Sequence, residues 1–338
     1  MFKIGANRKI DLEALFSGIA AGTGKAFDIV EKDFWVCWTL LYLFQESPWK
    51  TKLAFKGGTS LSKGFNIISR FSEDIDVILD WRLLGYTDAE VWQPRSRSKD
   101  LVHVDLMNER GAAFLGGEFL DRLNADFKAL LPRGGFELFV DAKDPQTINF
   151  QYPKATSAAG ESAILDVIKL EMGANAAWTP SRPITVTPFV SEMLGDSMTH
   201  PSVTVLTADP KRTFWEKVTI LHKVAWESHK PLPPRYARHY YDIYKMDKTT
   251  VKEDAFADIG LLTRVVDFKN RFYQCPAQIY ASAKPGSMKL LPHPDHIAEL
   301  QRDYRLTTTM MYGDIPSFDA IIECLGRMEQ EINNLQTP

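Results

Sequence analysis

Two carboxylates set two residues apart, Asp74 and Asp76, constrain this chain more than any other feature. They stand in the run Arg70-Phe71-Ser72-Glu73-Asp74-Ile75-Asp76-Val77-Ile78-Leu79, behind the glycine pair of Gly57-Gly58-Thr59-Ser60-Leu61. Successive side chains of a strand point to opposite faces, so Asp74 and Asp76 project together while Ile75 and Val77 point into a core. Like charges that close are costly to ionise unless a hard cation lies between them, and Mg2+ prefers oxygen ligands. A bare Asp-x-Asp also reads as a solvated strand face; the upstream glycines favour the cation. Residues 52–56 read as a short strand, and the paired glycines allow positive φ or close approach to a ligand. A helix is expected from about Leu61 to Ser69, capped by Thr59 or Ser60. Its free amide groups and positive dipole end would attract phosphate. An anion cradle beside an acidic pair suits a nucleoside triphosphate bound with Mg2+.

The spacing Gly57-Gly58-Thr59-x-Leu61, then Arg70-x-Ser72-x-Asp74-x-Asp76, resembles the signature of the AbiEii nucleotidyltransferase toxins, within the DNA polymerase β-type nucleotidyltransferase superfamily. Glu31-Lys32-Asp33-Phe34-Trp35 is similar to the family's N-terminal motif, Phe214-Trp215-Glu216-Lys217 to its lysine motif, and Arg238-His239-Tyr240-Tyr241-Asp242 to its last acidic motif. The resemblance implies an α+β fold, a nucleotidyltransferase mixed sheet core flanked by helices with a mainly helical C-terminal lobe. It implies transfer of a nucleoside monophosphate from an NTP, with Mg2+ or Mn2+ as cofactor and loss of pyrophosphate. Asp74, Asp76, Lys217 and Asp242 would be catalytic. Gly57, Gly58, Thr59, Ser60, Ser72 and Lys217 would bind the nucleotide. Family members are the toxin halves of type IV toxin-antitoxin systems and some relatives extend the tRNA 3′ end, so an RNA acceptor and a cognate antitoxin are the implied partners. A protein or small-molecule hydroxyl as acceptor, or a nucleotide-binding or partner-binding module without chemistry, are the alternatives.

Two-metal nucleotidyl transfer usually wants a third carboxylate from a neighbouring strand. In the strand expected over 164–171, Glu171 and Lys169 face one way and Asp166 the other. The resemblance places the ligand at Lys-x-Glu, hence Glu171, with a cross-strand ion pair as the plainer alternative. Lys217 lies just off the apolar stripe Phe214, Val218, Leu221 and Ala225, where it either neutralises phosphates or snorkels to water. Asp242 has Arg238 one turn earlier, as a surface salt bridge or as a base with its orienting cation. Glu31, Lys32 and Asp33 lie at the polar edge of a helical stretch, as an intrahelical charge cluster or, for Lys32 and Asp33 with Arg238, as supporting residues.

At 338 residues two lobes are expected, 1–208 as the nucleotidyltransferase core with N-terminal helices and 209–338 as the helical lobe. Residues 11–46 show helical spacing, 88–132 look helical and polar, and further strands are expected at 136–140, 147–150, 184–186 and 203–206 before periodicity turns helical from Pro210. A formal net charge of −3 argues against a protein that coats nucleic acid nonspecifically. Local basic clusters at Arg95, Arg97 and Lys99, at Lys211 and Arg212, and at Lys230, Arg235 and Arg238 read as solvated surface or, for the last two, as holders of a triphosphate or RNA backbone. No apolar run is long enough to span a bilayer and Met1-Phe2-Lys3-Ile4 does not open a signal peptide, so the cytoplasm is expected. Cys37, Cys275 and Cys324 read as reduced, partly buried thiols. His293-Pro294-Asp295-His296 lacks the spacing of a zinc site, and His222, His229 and His239 read as ordinary helix histidines.

Overall fold

A computed structural model describes residues 1–155, 166–174, 179–227, 230–273 and 275–336. Residues 164 and 165 of the expected acidic strand, and His229, lie outside the described residues. The described chain divides into two compact units, one of Met1–Gly64, Ser72–Pro94 and Val102–Thr207, the other of Phe65–Phe71, Arg95–Leu101 and Ala208–Pro338.

The first unit is built on seven strands: β1 Leu53–Lys56, β2 Ile75–Leu79, β3 Glu137–Val140, β4 Thr147–Gln151, β5 Val167–Gly173, β6 Ser181–Val186 and β7 Val203–Ala208. Their order is β3-β4-β5-β2-β1-β7-β6. β1 runs antiparallel to β2 with Lys56 opposite Asp76, whereas β2 runs parallel to β5 with Asp76 opposite Glu171. β4 is antiparallel to both β3 and β5, and β1 is parallel to β7, so the sheet is mixed. The alternation that marked these segments in the sequence reappears as burial: in β5, Ile168, Leu170 and Met172 are buried while Lys169 and Glu171 are not.

Helices Lys9–Thr23 and Phe27–Leu41 belong to this unit. The first stops at Gly24, whose φ of 69° is the left-handed geometry that glycine adopts without penalty. Every residue from Val30 to Leu41 is buried. Trp35 stacks on Tyr152 at 5.8 Å between ring centroids, and Trp38 meets Phe127 edge-on at 4.7 Å. Both separations suit attractive aromatic contacts, which add roughly 0.5–1.5 kcal/mol beyond area burial. The helical stretch expected over 88–132 contains Asp88–Trp92, opened by a Thr87/Glu90 capping box, then Arg97–Phe114 and Leu120–Leu130.

One local expectation fails. Instead of a helix over 61–69, helical backbone begins at Gly57, passes into a π-helical turn over Ser60–Gly64 and stops there. Asn66 has φ 53°, a left-handed conformation that a helix cannot contain. The following residues instead join the second unit: Phe71 N–H donates to Met310 O at 2.7 Å and Tyr312 N–H to Ser69 O at 3.0 Å. That unit is otherwise helical, with Pro210–Trp226, Ala237–Asp247, Val251–Ala257, Ile259–Phe272, Pro294–Thr307 and Phe318–Asn333 as its longer elements. Asp209 starts the first of these by accepting from Lys211 N–H at 3.1 Å, ahead of a proline whose fixed φ suits the first turn. No helix among the described residues is long and apolar enough to cross a membrane. Cys37, Cys275 and Cys324 are buried free thiols.

Candidate functional site

In the first unit the chain leaves β1 through Gly57, at φ +78°. A Cβ there would lie 2.5 Å from Asp76 Cγ and 2.9 Å from Asp76 Cβ, closer than real atoms approach. Only a residue without a side chain allows both the turn and the position of the Asp76 carboxylate. Along the acidic segment burial alternates: Ser72, Asp74 and Asp76 are half-buried, while Glu73, Ile75 and Val77 are buried. The two aspartates therefore share a face, as the sequence spacing requires. Glu171 is Asp76's register partner on β5, so it lies on that same face, one strand spacing of about 4.8 Å away. Asp166, the alternative third acid, precedes β5 and is paired with Lys154 at 2.9 Å.

Thr59 and Ser60 were expected to cap a helix and to belong to the phosphate-gripping turn; both are fully buried. Thr59 Oγ1 donates to Asp74 O at 2.5 Å and Ser60 Oγ to Gly57 O at 2.8 Å. These hydroxyls brace the turn and the acidic segment. What the turn can offer an anion is its glycine backbone rather than its hydroxyl groups.

Among the described residues no group of three or more His, Cys, Asp or Glu lies close enough to hold a metal ion. The described residues therefore preassemble no cage of their own. Mg2+, however, usually keeps several waters and takes one or two carboxylates plus substrate phosphates. Two carboxylates on one face, one of them seated against a turn of two glycines without side chains, fit a metal arriving with a phosphate-bearing ligand.

Glu31, Lys32 and Asp33 were placed at a polar edge, and the structure corrects this: all three are buried in the Phe27–Leu41 helix. Each has a partner elsewhere in the chain. Lys32 Nζ donates to Glu73 Oε2 at 2.6 Å, Asp33 Oδ1 is 2.6 Å from Lys63 Nζ, and Glu31 accepts from Ala155 N–H at 2.6 Å. Asp33 also accepts from Phe189 N–H at 2.7 Å, and the Lys63 ammonium stands 3.8 Å from the centre of the Phe189 ring. Burial pulls the Lys32 ammonium down despite Glu73, pushes the Asp33 carboxyl up against Lys63, and raises Glu31 to about 7. Glu73 had drawn no attention in the sequence, where it reads as one more acid in an acidic run.

A second charged cluster lies within the second unit. Asp242 is wholly buried and accepts from Arg70 through two bonds of 2.7 and 2.8 Å, with Lys217 Nζ 2.8 Å from its Oδ2. Arg70 and Lys217, rather than the expected Arg238, are thus its cations. Burial alone would raise the Asp242 carboxyl, but Arg70 and Lys217 outweigh it and hold it well below the usual carboxylate range. A carboxylate so held is a poor base and a good anchor. His239 Nδ1 is 3.4 Å from Lys217 Nζ, and burial together with Lys217 drives this imidazole well below its ordinary value. The bidentate Arg70–Asp242 pair joins residues far apart in the chain; its one sequence signal was the arginine of Arg70-x-Ser72-x-Asp74-x-Asp76. The flanking basic groups have acidic neighbours of their own: Lys211 with Asp258, Arg212 with Glu216 and Lys230 with Glu227. Arg97 donates to Asn270 O and Cys275 O.

Three comparisons with known proteins bear on this arrangement. A family model described as "Nucleotidyl transferase AbiEii toxin, Type IV TA system" matches residues 39–324. No curated relative matches the chain. Among solved structures, MenT4, a nucleotidyltransferase toxin of Mycobacterium tuberculosis H37Rv, is similar over 96% of this chain and 97% of its own, at 20% identity and a TM-score of 0.43.

Proposed function

The chain belongs to the AbiEii family of nucleotidyltransferase toxins, and on that premise we propose that it transfers a nucleoside monophosphate from an NTP to an RNA hydroxyl such as the tRNA 3′ end, using Mg2+ or Mn2+. The observation that carries this reading is the Asp76 carboxylate seated against the Gly57 turn, with Asp74 on its face and Glu171 in register beside it. Asp74 and Asp76 would hold the cation together with the phosphates of the NTP, and Glu171, in register beside Asp76, would be the third carboxylate drawn in once the cation is bound. Bound there, a divalent ion supplies positive charge to the phosphate oxygens.

The chain's own groups do the rest. The Gly57-Gly58 backbone comes close to the phosphates because no side chain intervenes, and half-buried Ser72 stands in the same row as the two aspartates. An acceptor hydroxyl attacks the α-phosphorus in line; the new O–P bond forms as the bond to pyrophosphate breaks, and the hydroxyl proton leaves to solvent. Lys217 is proposed to stabilise the charge on the departing pyrophosphate. Asp242 and Arg70 would position that ammonium, a role suited to a buried carboxylate with depressed proton affinity. The reading also gives the chain a cognate antitoxin as partner and the cytoplasm, where NTPs and tRNA are found, as its place of action.

Incubation with labelled NTPs, a divalent ion and total RNA or lysate tests the reading. Label in RNA is expected. Label in protein or in a small molecule would move the acceptor to another hydroxyl, a reading favoured by the internal pairing of Lys211, Arg212 and Lys230, which weakens the electrostatic case for RNA. Asp76→Asn should lower transfer by at least about a hundredfold with an unchanged circular dichroism spectrum. Wild-type labelling by that variant would refute the site.

A further inference from the structure

Asp74 and the Gly57 turn share a mechanical problem. β2 begins at Ile75 and its pairing with β1 ends at Lys56 opposite Asp76, so both Asp74 and the Gly57–Gly64 segment stand beyond the sheet ladder. The sheet ladder does not hold them; the Thr59 hydroxyl on Asp74 O ties one to the other. Two ion pairs do reach these segments, one buried at both ends and one with a half-buried lysine, and both start from one helix. Lys32 grips Glu73, the residue before Asp74, on the strand face opposite the acidic row. Asp33 grips Lys63, near the far end of the turn segment, and fixes Phe189 as well. Consecutive helix residues point about 100° apart, which lets neighbours on one rigid element hold two separate segments. Stability alone gives little reason for such pairs, since replacing a buried ion pair with apolar groups is often neutral or stabilising.

We infer that Lys32 and Asp33 are positioning residues: Lys32, through Glu73, sets the metal-binding carboxylates, and Asp33, through Lys63, sets the phosphate-binding turn. This rests on the function proposed above and deepens it. The two arms are separable. Removing the Lys32–Glu73 pair loosens the acidic edge and leaves the turn, whereas removing the Asp33–Lys63 pair does the converse.

The test uses the full chain and two base-independent probes, Mn2+ followed by electron paramagnetic resonance at saturating tripolyphosphate, and tripolyphosphate followed by calorimetry. Lys32→Met with Glu73→Leu should weaken Mn2+ by about tenfold or more, as losses of supporting partners do, and leave tripolyphosphate affinity near wild type. Asp33→Asn with Lys63→Met should do the reverse, Asn keeping an acceptor for Phe189 N–H. Both doubles should melt close to the wild type. Lys32→Arg with Glu73→Asp should recover most of the Mn2+ affinity. Wild-type affinities in both folded doubles, equal weakening of both probes by each double, or a wild type that binds neither probe would overturn the inference. If the pattern holds but the wild type transfers no label to any acceptor, the proposed reaction fails and the positioning roles stand.

Discussion

Gly57→Ala would damage the site and the fold by separate amounts, and the two can be told apart. A left-handed backbone conformation costs a residue with a Cβ roughly 1–2 kcal/mol. For a unit of this size that lowers the melting temperature by about 2–8 °C. The same Cβ would stand 2.5 Å from Asp76 Cγ. Carbon atoms pack at about 3.5–4.0 Å, so the carboxylate must retreat by roughly 1 Å. A displacement of that size can cost on the order of a hundredfold in rate. Gly24→Ala supplies the control: Gly24 has φ +69° and nothing within 4 Å of its would-be Cβ. Both variants should lose similar thermal stability in a differential scanning experiment. In the labelled-NTP assay only Gly57→Ala should lose transfer, whatever acceptor takes the label. Equal activity of the two variants would refute the argument that the glycine is there for the carboxylate.

Other outcomes follow from the buried charges. Asp242→Asn leaves Arg70 and Lys217 without their carboxylate, so the second unit should lose about 3–5 kcal/mol in urea unfolding; a loss below about 1 kcal/mol would show that the cluster is solvated. Because the folded Asp242 carboxyl is depressed, its contribution is present above its unfolded range and is lost as pH falls through about 4 and below. The acid limb of unfolding should therefore be shallower in the Asn variant. Glu31 has the opposite sign. Raised to about 7 in the fold, it contributes stability that is complete below its unfolded value near 4.5 and fades as pH rises through about 7. The effect is on the order of 3 kcal/mol. Melts of Glu31→Gln across pH 5–8 should lack that decline, and a slope identical to the wild type would sink the assignment.

Much of this molecule is written in local pattern. Sequence pattern placed the strands to within a few residues, and in β5 and β7 the burial alternates with the period two that a half-buried sheet imposes. The shared face of Asp74 and Asp76 follows from the same period, and Pro210 after Asp209 marked the start of the long helix. What escaped was long-range. Nothing near Asp76 states that β5 lies parallel with Glu171 opposite it. Nothing near Asp242 names Arg70 as its partner; Arg238 was the natural choice because local spacing sees only one turn of helix. The hydroxyls of Thr59 and Ser60 misled for a related reason. A cap stands ahead of the first turn, whereas helical backbone already begins at Gly57, and their hydroxyls donate to Asp74 O and Gly57 O, one of them fifteen residues away in the chain. Glu31, Lys32 and Asp33 looked solvated because charge usually is, and only their separate partners make burial tolerable.

The Phe27–Leu41 helix, buried without interruption from Val30 to Leu41, has no side facing water along that length. Amide protons there have no local route to solvent, because an outward fluctuation would strip charged and aromatic groups of their partners together. They should be the slowest in the first unit to exchange with deuterium, and their rate would then report the free energy of opening that whole unit. A single peptide followed by mass spectrometry thus becomes a gauge of the unit's total stability.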